Sequence, residues 1–315
     1  MQLEIIDKFK DIKIAVIGDL ILDHYVFGWV ERISPEAPVP VLIVEREEYR
    51  LGGAGNVANN ISSLGGLPVV FGLLGTSSLN YNNMTNNLLG DIGLAYTYTP
   101  NGYETIVKSR VIATQQQIVR IDREKSFEMP SEIEANIIDE IIFQLSSVNA
   151  VVFADYDKGM ITPGIIKAVC QEAKKKDIPI IADPKVKHFW DYDNVTVLKP
   201  NRKEAMFAVG NGCDDIVDPG KQIRRRLDIP AVLITQGADG MTLFEADGTT
   251  HIAAVAREVY DVTGAGDTVA ATLAMALGAG INMEDAVELA NIAAGISVSK
   301  MGTAVVTIDE LEKEL

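Results

Sequence analysis

The chain has only two cysteines in 315 residues, Cys170 and Cys213, and no C-x-x-C pair. This excludes a disulfide framework and a cysteine-based zinc site. Histidines number three, at 24, 188 and 251. No Ser/His/Asp set can be read from them, and each reads as a surface or packing residue. No G-x-x-x-x-G-K-[ST] string occurs, which excludes a P-loop. No apolar run reaches the roughly 18 residues of a membrane-spanning helix. The first four residues, Met-Gln-Leu-Glu, already include a charge, so neither a span nor a secretory leader is expected. Basic residues are also scarce, with 28 Lys and Arg against 44 Asp and Glu and a net charge of −16. That argues against nucleic-acid or anionic-membrane partners, which need a basic face. Any phosphorylated ligand must then be met by local cations. What remains, 47% hydrophobic and 23% charged, is ordinary for a cytoplasmic enzyme or binding protein with ample length for a core.

Against these absences stands one particular string, Asp261-Val262-Thr263-Gly264-Ala265-Gly266-Asp267-Thr268, followed by an apolar, small-residue run. Gly264 and Gly266 permit a tight turn and leave no side chain between the backbone N–H groups and a ligand. The first N–H groups of the helix that follows have no internal partner and lie at the positive end of its dipole, which makes an anion hole. Asp267 beside it would compete with an anion. A base that takes a proton from a hydroxyl while the hole holds a transferring phosphoryl group accounts for both features. A second string, Leu51-Gly52-Gly53-Ala54-Gly55-Asn56-Val57-Ala58, contains G-x-G-x-x-A. The charged segment 45–50 precedes it, not the apolar strand of a dinucleotide motif, so an oxidoreductase is disfavoured. The alternative is a Gly-Gly turn at which the backbone approaches a sugar, with Asn56 offering its amide to hydroxyls. Both strings resemble the two signatures of the ribokinase-like (PfkB) carbohydrate kinases.

Along the chain, residues 12–17 read as a buried strand that delivers Asp19 to its carboxyl end, with Asp23 four residues on. Residues 32–40 hold three prolines in six positions and form a rigid loop before a strand over 39–44. Helix is expected from Asn56 to Leu64 and strand over 69–74. Residues 77–87 form the polar start of a helix. Residues 95–123 are β throughout and supply, with 39–44, a small antiparallel sheet on which Lys108 and Arg110 share a face. Ser131 and Glu134 have capping-box spacing. From there strands alternate with helices, and the strands end in Asp155-Tyr156-Asp157-Lys158-Gly159, Asp183-Pro184-Lys185, Lys199-Pro200-Asn201 and Thr235-Gln236-Gly237. The expected fold is a three-layer α/β unit over 1–315 with a central, mostly parallel sheet. The small lid covers approximately 20–50 and 95–123.

The resemblance spans nearly the whole chain and implies ATP-dependent phosphorylation of a sugar hydroxyl. Asp267 matches the family's base, and Gly264, Ala265 and Gly266 match its anion hole. Asp19, Asp23, Gly52, Gly53 and Asn56 match its sugar side, to which Asp155 is added. Asn201 and Glu204 match its N-x-x-E, which would position Mg²⁺ through water, although the same spacing is a capping box. Thr235 and Gly237 resemble its nucleotide-facing turn. Asn291 falls where members line the adenine pocket, or is a helix-surface residue. Asp261 and Thr263 sit where relatives bind a monovalent cation such as K⁺. Residues 32–40, 51–58, 156–159 and 258–268 resemble the heptose-phosphate kinase branch, which acts on D-glycero-β-D-manno-heptose 7-phosphate at O1. On that reading Lys158 and Lys185 capture the acceptor phosphate, with Lys108 or Arg120 closing from the lid. Competing accounts make Lys185 a nucleotide contact and Lys158 a surface residue. Lids of relatives often pair across a homodimer, expected here near 39–44 and 106–111. Many members of the branch carry an adenylyltransferase domain after the kinase; with the sequence ending at Leu315 soon after the last expected helix, the expectation is either a kinase alone or a kinase portion cut before such a domain. A kinase of another sugar would keep the catalytic set. A non-catalytic sugar sensor would have little reason to keep Asp267 together with Asn201 and Glu204.

Overall fold

The structure is a computed structural model and describes residues 6–75, 79–114, 116–125, 127–210, 216–255 and 258–315. Cys213, residues 77–78 of the expected polar helix start and the N-terminal residues 1–4 lie outside them.

The apolar run at the start forms β1 (Lys13–Gly18), and after Asp19 alone the chain enters β2 (Leu20–Ile33). A turn at 34–39 returns it as β3 (Pro40–Gly53), which runs directly into α1 (Ala54–Ser63). Then come β4 (Leu67–Leu73), α2 (Leu79–Gly90) and β5 (Leu94–Tyr98). A hairpin of β6 (Ile106–Ala113) and β7 (Gln116–Arg123) follows. The alternating half contains α3 (Ser131–Leu145), β8 (Ala150–Ala154), α4 (Pro163–Lys175), β9 (Ile180–Asp183), β10 (Val197–Leu198), α5 (Arg202–Val209), α6 (Val217–Leu227) and β11 (Ala231–Thr235). It closes with β12 (Met241–Phe244), β13 (Thr249–Ile252), α7 (Ala265–Gly278), α8 (Met283–Ser297) and α9 (Ile308–Glu312).

Two sheets result. The large one has the order β13-β12-β11-β10-β9-β8-β1-β4-β5 and is parallel from β11 to β5, with β12 and β13 antiparallel at one end. Alternate residues of its strands face opposite layers, as a strand's period of two requires. Ile14, Val16 and Val152 pack with Val57, Ile61, Leu273 and Ala290 of α1, α7 and α8. Ala15, Ile17 and Phe153 pack with Ile137, Ile141, Ile166 and Val169 of α3 and α4. Both clusters are sealed from water, so the sheet is the middle of three layers. Residues 267–276 of α7 are buried on every side, and their small side chains let this helix lie between the sheet and its neighbours. The carboxyl ends of the strands are flush: Gly18 pairs with Ala154, Ala154 with Asp183, and Ala182 with Leu198. That edge carries the polar residues, as expected for a parallel sheet.

The second sheet, β3-β2-β6-β7, is the lid, and here the structure departs from the sequence pattern. Residues 95–98 do not belong to it. They pair in parallel with β4 on the large sheet, because Phe71 stacks on Tyr96 with centroids 5.1 Å apart. Asp23 lies inside a 14-residue strand rather than in a turn, and the charged segment 45–50 is also strand. The lid is not wholly antiparallel, since β2 and β6 run parallel. Residues 106–111 are an interior strand with Ile106 and Val107 fully buried, so the free edges are β3 and β7. Ser131 does not cap α3. Pro130 is its N-cap without a side-chain bond, and the Glu134 carboxylate accepts the Thr162 hydroxyl. Among the described residues no helix is long and apolar enough to cross a membrane.

Candidate active site

Asp267 occupies the first turn of α7 and is 4% exposed. Its Oδ2 accepts the Asn56 Nδ2–H at 2.8 Å, and its Oδ1 accepts the Tyr156 hydroxyl. Asn60 donates to the Asn56 backbone carbonyl at 2.9 Å and to its Oδ1 at 3.4 Å, and the second contact favours the orientation in which Nδ2 faces Asp267. Asn60 is held in turn by Thr268 and the Val306 amide. Burial pushes the Asp267 carboxyl up to about 6, and Asp183 adds to this, while the donors Asn56 and Tyr156 and the cation Lys199 oppose it. A carboxylate that ionises near neutrality is suited to accept a proton.

The anion hole forms at Gly264, whose φ of 82° is left-handed. A Cβ there would also come within 2.7 Å of Asn56 Nδ2. The Ala265 amide is committed to the Val262 carbonyl at 3.3 Å, which corrects its expected place in the hole. The amides of Gly264, Gly266 and Asp267 meet no backbone acceptor among the described residues. A Cβ on Gly266 would lie 3.5 Å from Lys199 Nζ and 3.9 Å from Asp183 Oδ2. Lys199 is 2% exposed and pairs with Asp183 at 3.0 Å. These two residues and Tyr156 were missed in the sequence. The available signal was their place at the ends of β8, β9 and β10, which converge on one edge.

Asp19 and Asp155 are brought to that edge but turned inward. Asp19 is fully buried and accepts the amides of Tyr156 (2.9 Å), Lys158 (3.1 Å) and Met160 (3.0 Å). Burial pushes its carboxyl to about 6 against those bonds. Asp155 accepts from the Asp157 amide at 2.8 Å and from Tyr192 at 3.0 Å. Both carboxylates therefore build the 155–160 loop and present no oxygen to a sugar, contrary to expectation. Asp23 is different: it faces Arg110 in an ion pair beside Gly52, where a Cβ would lie 2.5 Å from its Oδ2. Gly53, with φ of 57°, turns the chain into α1. Lys108 lies opposite Asp23 on β6, and burial pulls its ammonium below the usual range. Arg120 remains on the exposed strand β7, forked onto Asp122 at 2.9 and 3.0 Å.

On the other side, Asn201 caps α5 and forms the full capping box with Glu204, both bonds at 2.9 Å. The second Glu204 oxygen takes Lys185, whose ammonium lies 5.6 Å from the Tyr156 ring centroid. Thr235 bridges to Asn201, and Gly237 has open space where a Cβ would stand. Lys158 reaches the chain just beyond β7, pairing with Glu124 at 3.0 Å. Asn291 is buried, not on a helix surface, and its amide holds the Ala253 carbonyl at 2.8 Å. Asp261 accepts from Thr263 N (2.9 Å), Thr263 Oγ1 (2.7 Å) and Gly302 N (2.9 Å). Although burial pushes its carboxyl up, these donors and Arg110 hold it below the usual range. Among the described residues no cluster of three or more His, Cys, Asp or Glu could hold a metal ion.

The sequence profile described as pfkB family carbohydrate kinase matches residues 11–310. The chain is 42% identical over 311 residues to the bifunctional protein HldE of Geotalea uraniireducens, covering 97% of this chain and 63% of that protein. It is 43% identical over 307 residues to that of Geobacter metallireducens, covering 96% and 62%. The chain thus spans less than two thirds of the length of these relatives. Its fold matches Escherichia coli phosphofructokinase-2 in complex with potassium, with a TM-score of 0.76 at 18% identity, covering 96% of this chain and 97% of that one. It also matches Arabidopsis thaliana ribokinase complexed with ribose and ATP, with a TM-score of 0.73 at 20% identity, covering 96% and 98%.

The Asp267 geometry has a consequence for stability. A carboxyl raised from 3.8 to about 6 on folding binds its proton more tightly in the native state. Its penalty is absent below the unfolded value and complete above about 6, so stability falls as pH rises through that window. Asp267→Asn removes the penalty. The variant should exceed the parent by about 3 kcal/mol at pH 7.5 and converge on it toward pH 4. Urea unfolding at both pH values checks this; a gap that does not narrow on acidification refutes it.

Proposed function

Starting from the fact that the chain belongs to the pfkB family of carbohydrate kinases, we propose that it transfers the γ-phosphoryl group of ATP to O1 of D-glycero-β-D-manno-heptose 7-phosphate. The single observation that carries the transfer reading is Asp267, buried and held by Asn56, beside the Gly264, Gly266 and Asp267 amides, which meet no backbone acceptor among the described residues. Asp267 takes the proton of the acceptor hydroxyl as its oxygen attacks phosphorus. The Gly264, Gly266 and Asp267 amides, with Lys199 beyond them, stabilise the charge on the transferring group. The donor set fits a phosphate: left-handed Gly264, a bare Gly266 and a buried ammonium at 3.5 Å from the place of its Cβ. Mg²⁺ would be held through water by Asn201 and Glu204 and would offset phosphate charge; a site of few protein oxygens is what that ion takes. Thr235 and Gly237 face the nucleotide, with Asn291 behind. Asp261, kept negative by its donors, and Thr263 are the proposed monovalent-cation position. Asp23 with Gly52 and Gly53 would receive sugar hydroxyls.

The acceptor is supported by the likeness of 32–40, 51–58, 156–159 and 258–268 to the heptose-phosphate branch. Its phosphate would fall to Lys158 and Lys185, with Lys108 from the lid. One observation favours a second reading, an unphosphorylated sugar: Lys158, Lys185 and Arg120 are each already paired with a carboxylate.

Coupled ADP release across a panel of sugars and sugar phosphates decides between them. Activity should be highest with the heptose 7-phosphate, and Asp267→Asn should lower kcat by about 10²–10⁴-fold. Undiminished turnover in that variant would remove Asp267 from the mechanism. Lys158→Ala should raise KM for the sugar phosphate by roughly 10- to 100-fold, the worth of a charge-assisted bond, and leave KM for ATP unchanged. An effect on ATP alone would reassign Lys158 to the nucleotide. The lid leaves Val39, Val44, Val119 and Ile121 exposed on β3, β7 and the turn before β3, and unpaired edges are liabilities unless covered. We therefore propose a homodimer through the lid, which a concentration-independent monomer in light scattering would refute.

A further inference from the structure

We propose that Tyr156 is a positioning residue that covers the proton-accepting oxygen of Asp267 until an acceptor hydroxyl displaces it, and that it thereby suppresses transfer to water. The inference rests on the kinase reading above and concerns what the base does when no acceptor is bound.

The two oxygens of Asp267 are held differently. Oδ2 belongs to Asn56, a fully buried side chain whose amide also meets Asn60 through its Oδ1. Oδ1 belongs to the Tyr156 hydroxyl, at the end of a partly exposed side chain. Tyr156 is half-buried while Asp267 beneath it is 4% exposed, so the phenol stands between the base and solvent. Its backbone is fixed: Asp19 accepts the amides of residues 156, 158 and 160. Displacement is thus a rotation of the side chain that leaves this backbone in place and carries a ring whose own face already meets Lys185.

The charged groups facing this pair come from several elements. Asp183 and Lys199 face Asp267 from β9 and from the residue after β10, and Asp183 and the lid's Asp23 face the phenol. Burial, together with the carboxylates Asp267, Asp183 and Asp23, raises the Tyr156 hydroxyl well above its ordinary value. The phenol thus remains a donor and cannot replace Asp267 as base. In the side reaction at issue, a water oxygen bonds the γ-phosphorus, the bond to the β–γ bridging oxygen breaks and ADP leaves. The water proton passes to Asp267. A phenol on Oδ1 denies water that place, whereas a sugar hydroxyl held by its other contacts can win it.

The test compares wild type with Tyr156→Phe, and with Tyr156→Met as a second hydroxyl-free variant, each checked for cooperative thermal unfolding. Without acceptor, both variants should hydrolyse ATP about tenfold faster than wild type. Loss of a donor disfavours the carboxylate, so the acid limb of kcat/KM should move up by about half to one pH unit. A packing role would move neither quantity in these directions. Wild-type transfer to a sugar combined with unchanged acceptor-free hydrolysis and an unmoved acid limb overturns the inference. If wild type phosphorylates no sugar in the panel, the kinase reading falls first, and this inference with it.

Discussion

The bond between Asn56 and Asp267 joins residues 211 positions apart, and much of the molecule is arranged so that it can form. A carboxylate removed from water must be met by donors, and Asn56 supplies one only because α1 lies close against α7. That approach depends on Ala270, Ala271 and Ala274 along the buried helix. It depends also on glycine at 264, where any larger residue would collide with the Asn56 amide. The same closeness leaves the carboxyl poorly solvated, which places its ionisation near 6. Packing and acid–base chemistry are here one constraint seen from two sides.

The parallel sheet was legible because β1, β8, β9, β10 and β11 are short apolar runs with polar ends, and such runs have one stable use. The lid was less so. Residues 20–33 and 45–53 mix charge with apolar residues, since one lid face meets the site and the other meets solvent, and no single period survives. Residues 94–98 have the composition of a lid strand, and tertiary contacts draw them into the large sheet: pairing along β4, the stack of Phe71 on Tyr96, and packing of Ala95 and Tyr98 against the two cores. Asp19 shows a further limit: a carboxylate at a strand end reads the same whether it turns outward to a ligand or inward to a loop. Here three loop amides claim it. At Asn201 and Glu204 the spacing could not separate a cap from a ligand pair, and the structure displays the cap. Asp183 and Lys199 had no motif of their own, and Tyr156 entered only through the likeness of 156–159 to the heptose-phosphate branch; their proximity is a product of strand register, which a linear pattern does not contain.

Charge in the site follows a common arrangement. Lys158 holds Glu124, Lys185 holds Glu204, Lys199 holds Asp183 and Arg110 holds Asp23. In a protein of net charge −16, these four cations are each neutralised by a neighbour. On the proposed reading, a phosphate enters by exchange and not by simple attraction, displacing one carboxylate for each cation it gains. Such exchange costs little long-range work and favours ligands whose oxygens match the spacing of several cations at once.

The lid ribbon leaves the large sheet through Asp19 and returns through Gly53, and these two crossings are stapled where the Ala54 amide meets the Asp19 carbonyl at 3.0 Å. Each strand beyond the staple is 14 residues long, about 45 Å if straight. The ribbon is thus a lever with its fulcrum beside the chemistry. A swing of roughly 10° moves its tip by about 8 Å, while Asp23, near the fulcrum, travels only a small fraction of that. On the proposed reading, a displacement at the turn of residues 34–39 would arrive much reduced at the end that receives the sugar.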